Sequence, residues 1–360
     1  MTNSSAFKKV FSINNTLIGE KCPPYLIAEL SGNHKGSLER ALTLIEQAAL
    51  TGVNAIKIQT YRPDTITLNH DGPEFCLTQG LWQGRTLYDL YQEAHTPWEW
   101  HAQLFEKART LGVTLFSSPF DCSAIDLLEE LNCPAYKIAS FEITDIKLLK
   151  YAASTGKPII MSTGMATRDE IDEAVHAIKD GGGKQLAILH CVSGYPAPIS
   201  DCHLNTITDL KKHYQLPIGL SDHTIEDTTA ITAVALGANI IEKHFTLVEN
   251  DDSVDAKFSL SPNQFSRLVK ESNNAWQALG QVNYQLKSSE VDNKNFRRSL
   301  YIANDIKAGE YFTEQNIKSV RPGLGLHPRY LEQVVKSTAK SNLKAGTALS
   351  FAHIVEEIKR

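Results

Sequence analysis

Two lysines sit where lysines are costly. Lys57 in NAIKIQT (54–60) and Lys137 in AYKIAS (135–140) each interrupt a run of apolar residues. A charge in that setting needs a paired carboxylate or a bound anion. Glu29 or Glu142 could supply a structural ion pair. The hydroxyls of Ser118, Ser162 and Ser221, which end similar runs, point instead to a receptor for phosphate and carboxylate, and burial cost favours that reading. His223 in PIGLSDH (217–223) and His244 in NIIEKHF (239–245) end consecutive runs, so their imidazoles can converge. Two histidines with a carboxylate suit a divalent transition metal with open positions. Strand-end histidines also serve as hydrogen-bonded catalytic or structural groups.

Positioning these groups on one surface requires a particular set of elements. The runs YLIAELS (25–31), NAIKIQT, VTLFSS (113–118), AYKIAS, PIIMST (158–163), LAILHC (186–191), PIGLSDH and NIIEKHF read as strands buried on both faces. Helical periodicity separates most of them, as in LERALTLIEQAAL (38–50) and RDEIDEAVHAIKD (168–180). Eight such alternations predict a (β/α)8 barrel, whose chemistry lies at the carboxyl ends of its strands. Alternation along each strand puts Lys57 with Gln59, Glu29 with Ser31, Ser221 with His223, and Glu242 with His244.

The 360 residues exceed a typical barrel of about 250 by one small domain. A net charge of −5 excludes a broad nucleic-acid footprint, so any anion must be held by a few placed cations. Six scattered cysteines without C-x-x-C, and no apolar run of membrane length, imply free thiols in a cytoplasmic protein. Cys191, at a strand end, could be a nucleophile, although a small buried thiol is the commoner use.

The order along the chain predicts 1–280 as the barrel domain, 281–296 as a polar linker and 297–360 as a small second domain. FKKVFSINNTLIGE (7–20) reads as a hairpin turning at Asn14-Asn15 and closing the amino-terminal mouth. Residues 61–101 form an excursion directly after a barrel strand, a candidate lid over the substrate. In the tail, NDIKAGEYFT (304–313) matches SNLKAGTALS (341–350), two copies of one strand-turn unit that suggest pseudo-twofold symmetry. Gly181-Gly182-Gly183 precedes the sixth strand and reads as a helix stop, and Trp98-Glu99-Trp100-His101 as packing.

The strings AELSGNHKG (28–36), KIQTYRPDT (57–65), SSPFD (117–121), KIASFE (137–142), STGMA (162–166), HCVSGYP (190–196), LSDHT (220–224) and EKHFTL (242–247) resemble the nonulosonic (sialic) acid synthase family. RRSLY (297–301), DIKAGE (305–310) and RPGLGL (321–326) resemble that family's C-terminal antifreeze-like (SAF) domain. Within the family, KIASFE, GLWQGRTLYDLY (80–91), TPWEWH (96–101) and NIKSVRPGLGL (316–326) are similar to the branch that makes pseudaminic acid.

The resemblance implies condensation of phosphoenolpyruvate with 2,4-diacetamido-2,4,6-trideoxy-L-altrose and water. It assigns phosphoenolpyruvate binding to Lys57, Ser118, Lys137, Ser140, Ser162, Ser193 and Ser221. Gln59, Phe141, Glu142, Tyr195, Asp255 and Arg321 would meet the sugar. His223 and His244 would hold a divalent metal, Mn2+ or Mg2+, and an ionised Glu29 would handle protons or orient the attacking water. Arg321 would reach the barrel of a second copy, giving a domain-swapped homodimer with no membrane or nucleic-acid partner. An N-acetylneuraminic or legionaminic acid synthase would share the catalysis with another sugar. A non-catalytic carbohydrate-binding barrel would instead carry damaged lysine and histidine positions.

Overall fold

The computed structural model describes residues 7–249 and 251–355, so the outermost residues of both expected domains, 1–6 and 356–360, lie outside the described residues. The described chain divides into two compact units, one ending at Gly280 and the other starting at Gln281.

The first unit opens with a hairpin of β1 (Phe11–Ile13) and β2 (Thr16–Ile18). A closed parallel barrel follows: β3 (Tyr25–Glu29), β4 (Ala55–Thr60), β5 (Thr114–Pro119), β6 (Tyr136–Ile138), β7 (Ile159–Ser162), β8 (Leu186–Cys191), β9 (Ile218–Asp222) and β10 (Ile240–His244). The strands neighbour one another in chain order, and β10 closes on β3. The eight expected runs all appear; LAILHC keeps its bounds, VTLFSS shifts by one residue to Thr114–Pro119, and the others are trimmed by a residue or two at their ends. β6 is the exception in length, because the chain leaves the strand for a 3-10 turn at Ser140–Glu142.

Apolar faces on the helices explain the outer ring. Helix α1 (Leu38–Leu50) buries Ala41, Leu44, Ile45 and Ala48, a spacing that lays one stripe on the barrel. Its N-cap is Ser37, whose side chain accepts from the Arg40 amide. Helices α2 (Pro63–Ile66) and α3 (Leu87–Ala94) lie within the excursion after β4. The ring continues through α4 (His101–Thr110), α5 (Cys122–Glu130), α6 (Ile146–Ser154), α7 (Arg168–Asp180), α8 (Asn205–Tyr214), α9 (Thr228–Ala235) and α10 (Pro262–Leu279). Helix α7 starts in a Thr167/Glu170 capping box and stops at Gly181, as the glycine run implies. Helix α10 starts with Ser261 and Pro262, also in a capping box with Gln264.

The hairpin lies at the amino-terminal end of the strands. Asn14 Nδ2 donates to Thr114 Oγ1, at the first residue of β5, and the Gly19 carbonyl accepts from Asn239, just before β10. Phe11, Ile13 and Ile18 join the barrel core. That end is therefore closed, and the carboxyl ends of the strands stay open.

In the second unit, β11 (Ser299–Ile302) pairs antiparallel with β12 (Ile317–Val320), and α11 (Leu331–Val334) packs nearby over a core that includes Leu300, Phe312 and Val334. The two KAG repeats are related by a local pseudo-twofold. Ile306 and Leu343, equivalent positions, bond to each other through both amides at 2.9 and 2.8 Å. Ala308 N donates to Asn342 Oδ1, and the equivalent Ala345 N donates to Asp305 Oδ1, both at 2.8 Å. Residues 281–296, expected as a plain linker, are exposed but carry 3-10 turns at Ser288–Glu290 and Asp292–Phe296. Among the described residues no helix is long and apolar enough to cross a membrane, and the six cysteines are free.

Candidate active site

Strand register brings the charged groups together in two neighbouring rows. Across the β10–β3–β4 seam, His244 pairs with Glu29 and Glu29 with Lys57. Across β9–β10, Ser221 pairs with Glu242. These side chains converge at the carboxyl end of the barrel, where a cavity of about 470 Å³ opens. The set Lys57/Gln59, Ser221/His223 and Glu242/His244 lines that cavity. The alternate residues point away from it: Asp222 and Lys243 form a buried ion pair at 2.8 Å, satisfied by Thr224 and Thr229.

At the floor, Lys57 Nζ lies 3.0 Å from Glu29 Oε2, 3.3 Å from Glu242 Oε1 and 3.2 Å from Ser118 Oγ. Lys137 Nζ donates to Ser162 Oγ at 2.7 Å and lies 3.7 Å from Glu242 Oε1. Ser221 Oγ donates to Glu242 Oε1 at 3.1 Å. Glu242 is therefore the hub, and sequence reasoning gave it no role beyond sharing a face with His244. Its position two residues before a strand-end histidine was the available signal.

The floor holds both of the arrangements left open above, an ion pair to Glu29 and a ring of hydroxyls. Burial lowers the Lys57 ammonium, but Glu242 and Glu29 outweigh it and hold the charge. Burial dominates at Lys137 and lowers it, against the pull of Glu242. Glu242 itself is brought down, the two lysines outweighing its burial. At Glu29, burial raises the carboxyl, Lys57 opposes, and the Glu242 charge adds to the rise. Glu29 and Ser118 lie just beneath the cavity lining, reaching it through Lys57 and through Gln59, whose Nε2 donates to Glu29 Oε1 at 3.0 Å.

Ser140 and Ser193 approach the backbone at Gly164, where a Cβ would meet Ser193 Oγ at 2.1 Å and Ser140 Oγ at 2.8 Å. Glycine there lets both hydroxyls enter the site. Ser140 Oγ accepts from the Gly164 amide at 3.0 Å. Cys191 Sγ lies 3.8 Å from both Ser193 Oγ and His223 Nδ1. Burial raises its thiol, but His223, Ser140 and Lys137 bring it down to about 7.

The upper wall is largely apolar and comes from the excursion. Ile66, Leu77, Trp82, Leu87, Leu90 and Tyr91 line the cavity together with Phe141, which is 59 % exposed and so free to meet a ligand. Trp82 Nε1 donates to the Val254 carbonyl at 3.3 Å, tying the excursion to the loop that carries Asp255. Tyr195 packs against the His223 ring at a tilt of 50°, with centroids 4.5 Å apart. Glu142 lines the cavity with Oε2 buried and unpartnered, and burial pushes its carboxyl up to about 7 against the pull of Lys137. The expected packing role of 98–101 holds, with Trp100 edge-on to His34 and His101 buried. Arg321 belongs to the second unit, where it is exposed.

Two family models match: the NeuB family over residues 44–284 and the SAF domain over 297–355. The chain belongs to the NeuB family. It is 45 % identical over 325 residues to the pseudaminic acid synthase of Campylobacter jejuni, covering 90 % of this chain and 95 % of that one. It is 43 % identical to the pseudaminic acid synthase of Helicobacter pylori, covering 91 % and 97 %. Among solved structures, the N-acetylneuraminic acid synthetase of Leptospira borgpetersenii, bound to citrate, superposes with a TM-score of 0.71 at 33 % identity, over 79 % of this chain and 94 % of that one. This NeuB-family chain is thus a transferase-class barrel with an SAF domain behind it.

The two histidines fit the divalent metal that the resemblance implies. The Val192 carbonyl, 2.9 Å from His223 Nδ1, can only accept, so Nδ1 carries a proton and Nε2 is the nitrogen that could ligate. Burial lowers this imidazole, but the facing Cys191 outweighs it and raises it, so a metal there would displace a proton. His244 Nδ1 is buried without a hydrogen-bond partner. Burial, with His223 and the nearby lysines, holds His244 well below the usual imidazole range, so it stays neutral and able to ligate. The rings are 5.4 Å apart. Among the described residues no group of three or more His, Cys, Asp or Glu is arranged to hold an ion, so these two nitrogens would be supplemented by water and substrate.

Proposed function

We propose that this NeuB-family chain is a pseudaminic acid synthase. It would condense phosphoenolpyruvate with 2,4-diacetamido-2,4,6-trideoxy-L-altrose and water, giving pseudaminic acid and phosphate. The observation that carries the reading is the pairing of a lysine- and hydroxyl-lined floor with an apolar wall in one cavity. Phosphoenolpyruvate needs the first, and a sugar with two acetamido methyls and a 6-methyl suits the second. The identities of 45 % and 43 % to pseudaminic acid synthases, against 33 % to the sialic acid enzyme, favour this sugar over the alternatives.

In this reading Lys57, Lys137 and the hydroxyls of Ser118, Ser140, Ser162, Ser193 and Ser221 neutralise the phosphate and carboxylate in a water-poor site. The enol carbon attacks the aldehyde carbon, water adds to the adjacent centre, and the C–O bond to phosphate breaks. A divalent cation held by His223 and His244, Mn2+ or Mg2+, would polarise the aldehyde oxygen as a Lewis acid when bound. Glu29 accepts or returns a proton at the reacting oxygen or water, a task helped by a carboxyl that burial raises above its ordinary value. Gln59, Glu142, Tyr195 and Asp255 orient the sugar.

Incubation with phosphoenolpyruvate, metal and a panel of mono- and diacetamido hexoses tests the function. Phosphate release and the product mass should appear with the trideoxy altrose, and a preference for N-acetylmannosamine would overturn the sugar assignment. Phe141 packs on the 6-methyl group in this reading. Phe141→Gly should therefore lower the preference for 6-deoxy over 6-hydroxy sugars about tenfold in kcat/KM. An unchanged ratio would remove Phe141 from sugar selection.

Arg321 completes the sugar site of a second copy in a domain-swapped homodimer. Mixing and reassembling Arg321→Ala with Lys137→Met chains should restore activity that neither has alone, because one barrel of the mixed dimer is intact. No recovery in demonstrated mixed dimers would count against the swap.

A further inference from the structure

Asn33 sits in the loop after β3, is 0 % exposed and does not line the cavity. Its side-chain amide nonetheless uses every hydrogen-bonding position it has. Nδ2 donates to the Phe245 carbonyl at 2.8 Å and to Ser259 Oγ at 2.9 Å. Oδ1 accepts from Ser253 Oγ at 2.9 Å and from the backbone amide of Asp255 at 3.2 Å. The Asn33 carbonyl accepts from Arg40 Nε at 2.8 Å, and Arg40 pairs with Asp251. One side chain thus holds both ends and the middle of the loop following β10.

That loop carries Asp255 into the cavity, where its carboxylate lies 3.9 Å from His244 Nδ1. We infer that Asn33 is the positioning residue that sets Asp255 against the sugar; this rests on the sugar-binding role proposed for Asp255. The chemistry explains the residue type. A primary amide supplies two donors and two acceptors in one plane. Aspartate would place oxygens against the Phe245 carbonyl, and serine or alanine would leave buried partners unsatisfied. Because the bond is made to Asp255's own amide, a shift of Asn33 moves the carboxylate directly. A displacement of about 1 Å in a positioned group can cost on the order of 100-fold in rate.

The test compares Asn33→Ala, Asp255→Ala and the double variant in the full chain, using whichever sugar of the panel the wild type converts. A wrong sugar assignment would show in the panel and leave this comparison intact. Asn33→Ala should raise the sugar KM and lower sugar kcat/KM by about 10- to 100-fold, with the phosphoenolpyruvate KM unchanged. The double variant should be no worse than Asp255→Ala, because the two act through one contact. Equal rises in both KM values, or losses that multiply in the double variant, would overturn the inference. Should Asn33→Ala fail to fold, Ser253→Ala with Ser259→Ala removes two of the four bonds. That pair should shift the sugar KM in the same direction, and an unchanged sugar KM would count equally against it.

Discussion

Lys137→Met lowers kcat/KM for phosphoenolpyruvate by about 100- to 1000-fold while the barrel still folds, the cost expected for one preorganised charge donor in a water-poor site. Lys137 is 1 % exposed, and its ammonium is shared among Ser162, the Ile138 carbonyl and Glu242. Methionine fills a similar volume without the charge. The variant leaves Lys57 paired with Glu29 and Glu242, and Ser221 still donates to Glu242. The wild type should show a linked pH effect. Burial lowers Lys137 from the ordinary 10.5, so in the free enzyme the charged form is lost on the alkaline side below that pH. kcat/KM should therefore fall on an alkaline limb that kcat shows only at higher pH, since bound anion raises the lysine again. Stopped phosphate release measured across pH checks both. A variant with wild-type kcat/KM would remove Lys137 from the anion site.

His244→Ala should reduce turnover by on the order of 1000-fold, the scale set by losing a Lewis acid worth several kcal/mol. The fold should persist, because the β10–β3 pairing at His244 and Glu29 is made by backbone. Two controls separate metal holding from general packing against Phe258. Chelator should inactivate the wild type reversibly and have no further effect on the variant. Titration of Mn2+ into metal-free protein should give much weaker binding in the variant, independent of any turnover. Undiminished Mn2+ affinity, or activity that survives both the substitution and the chelator, would end the metal assignment for His244.

The eight barrel strands were legible because a strand buried on both faces is an unbroken apolar run, and LAILHC and NIIEKHF have no other plausible home. Alternation also gave the cavity-facing sets, since the period of two is fixed by the pleat. The KAG repeat announced a symmetric small unit before Ile306 and Leu343 were seen to pair. Less was legible wherever distance matters. Alternation put Glu242 on the right face but could not show that its carboxylate meets lysines from β4 and β6 and a serine from β9. The upward pull of burial on Glu29 was not legible either, because desolvation depends on three-dimensional burial. Ser140 left its strand for a 3-10 turn, a change no local pattern signalled.

By itself, then, the sequence determined the architecture and the cast of the site: apolar runs, capped helices, two lysines, two histidines and a set of strand-end hydroxyls. These follow from local periodicity and from the cost of burying charge, both of which act residue by residue. Only the tertiary structure decided how the cast is wired. Glu242 became the hub, the 61–101 excursion became an apolar wall, and Asn33 joined residues more than 200 positions away. Such contacts depend on barrel closure, which brings β10 against β3, and closure is a property of the whole ring rather than of any segment.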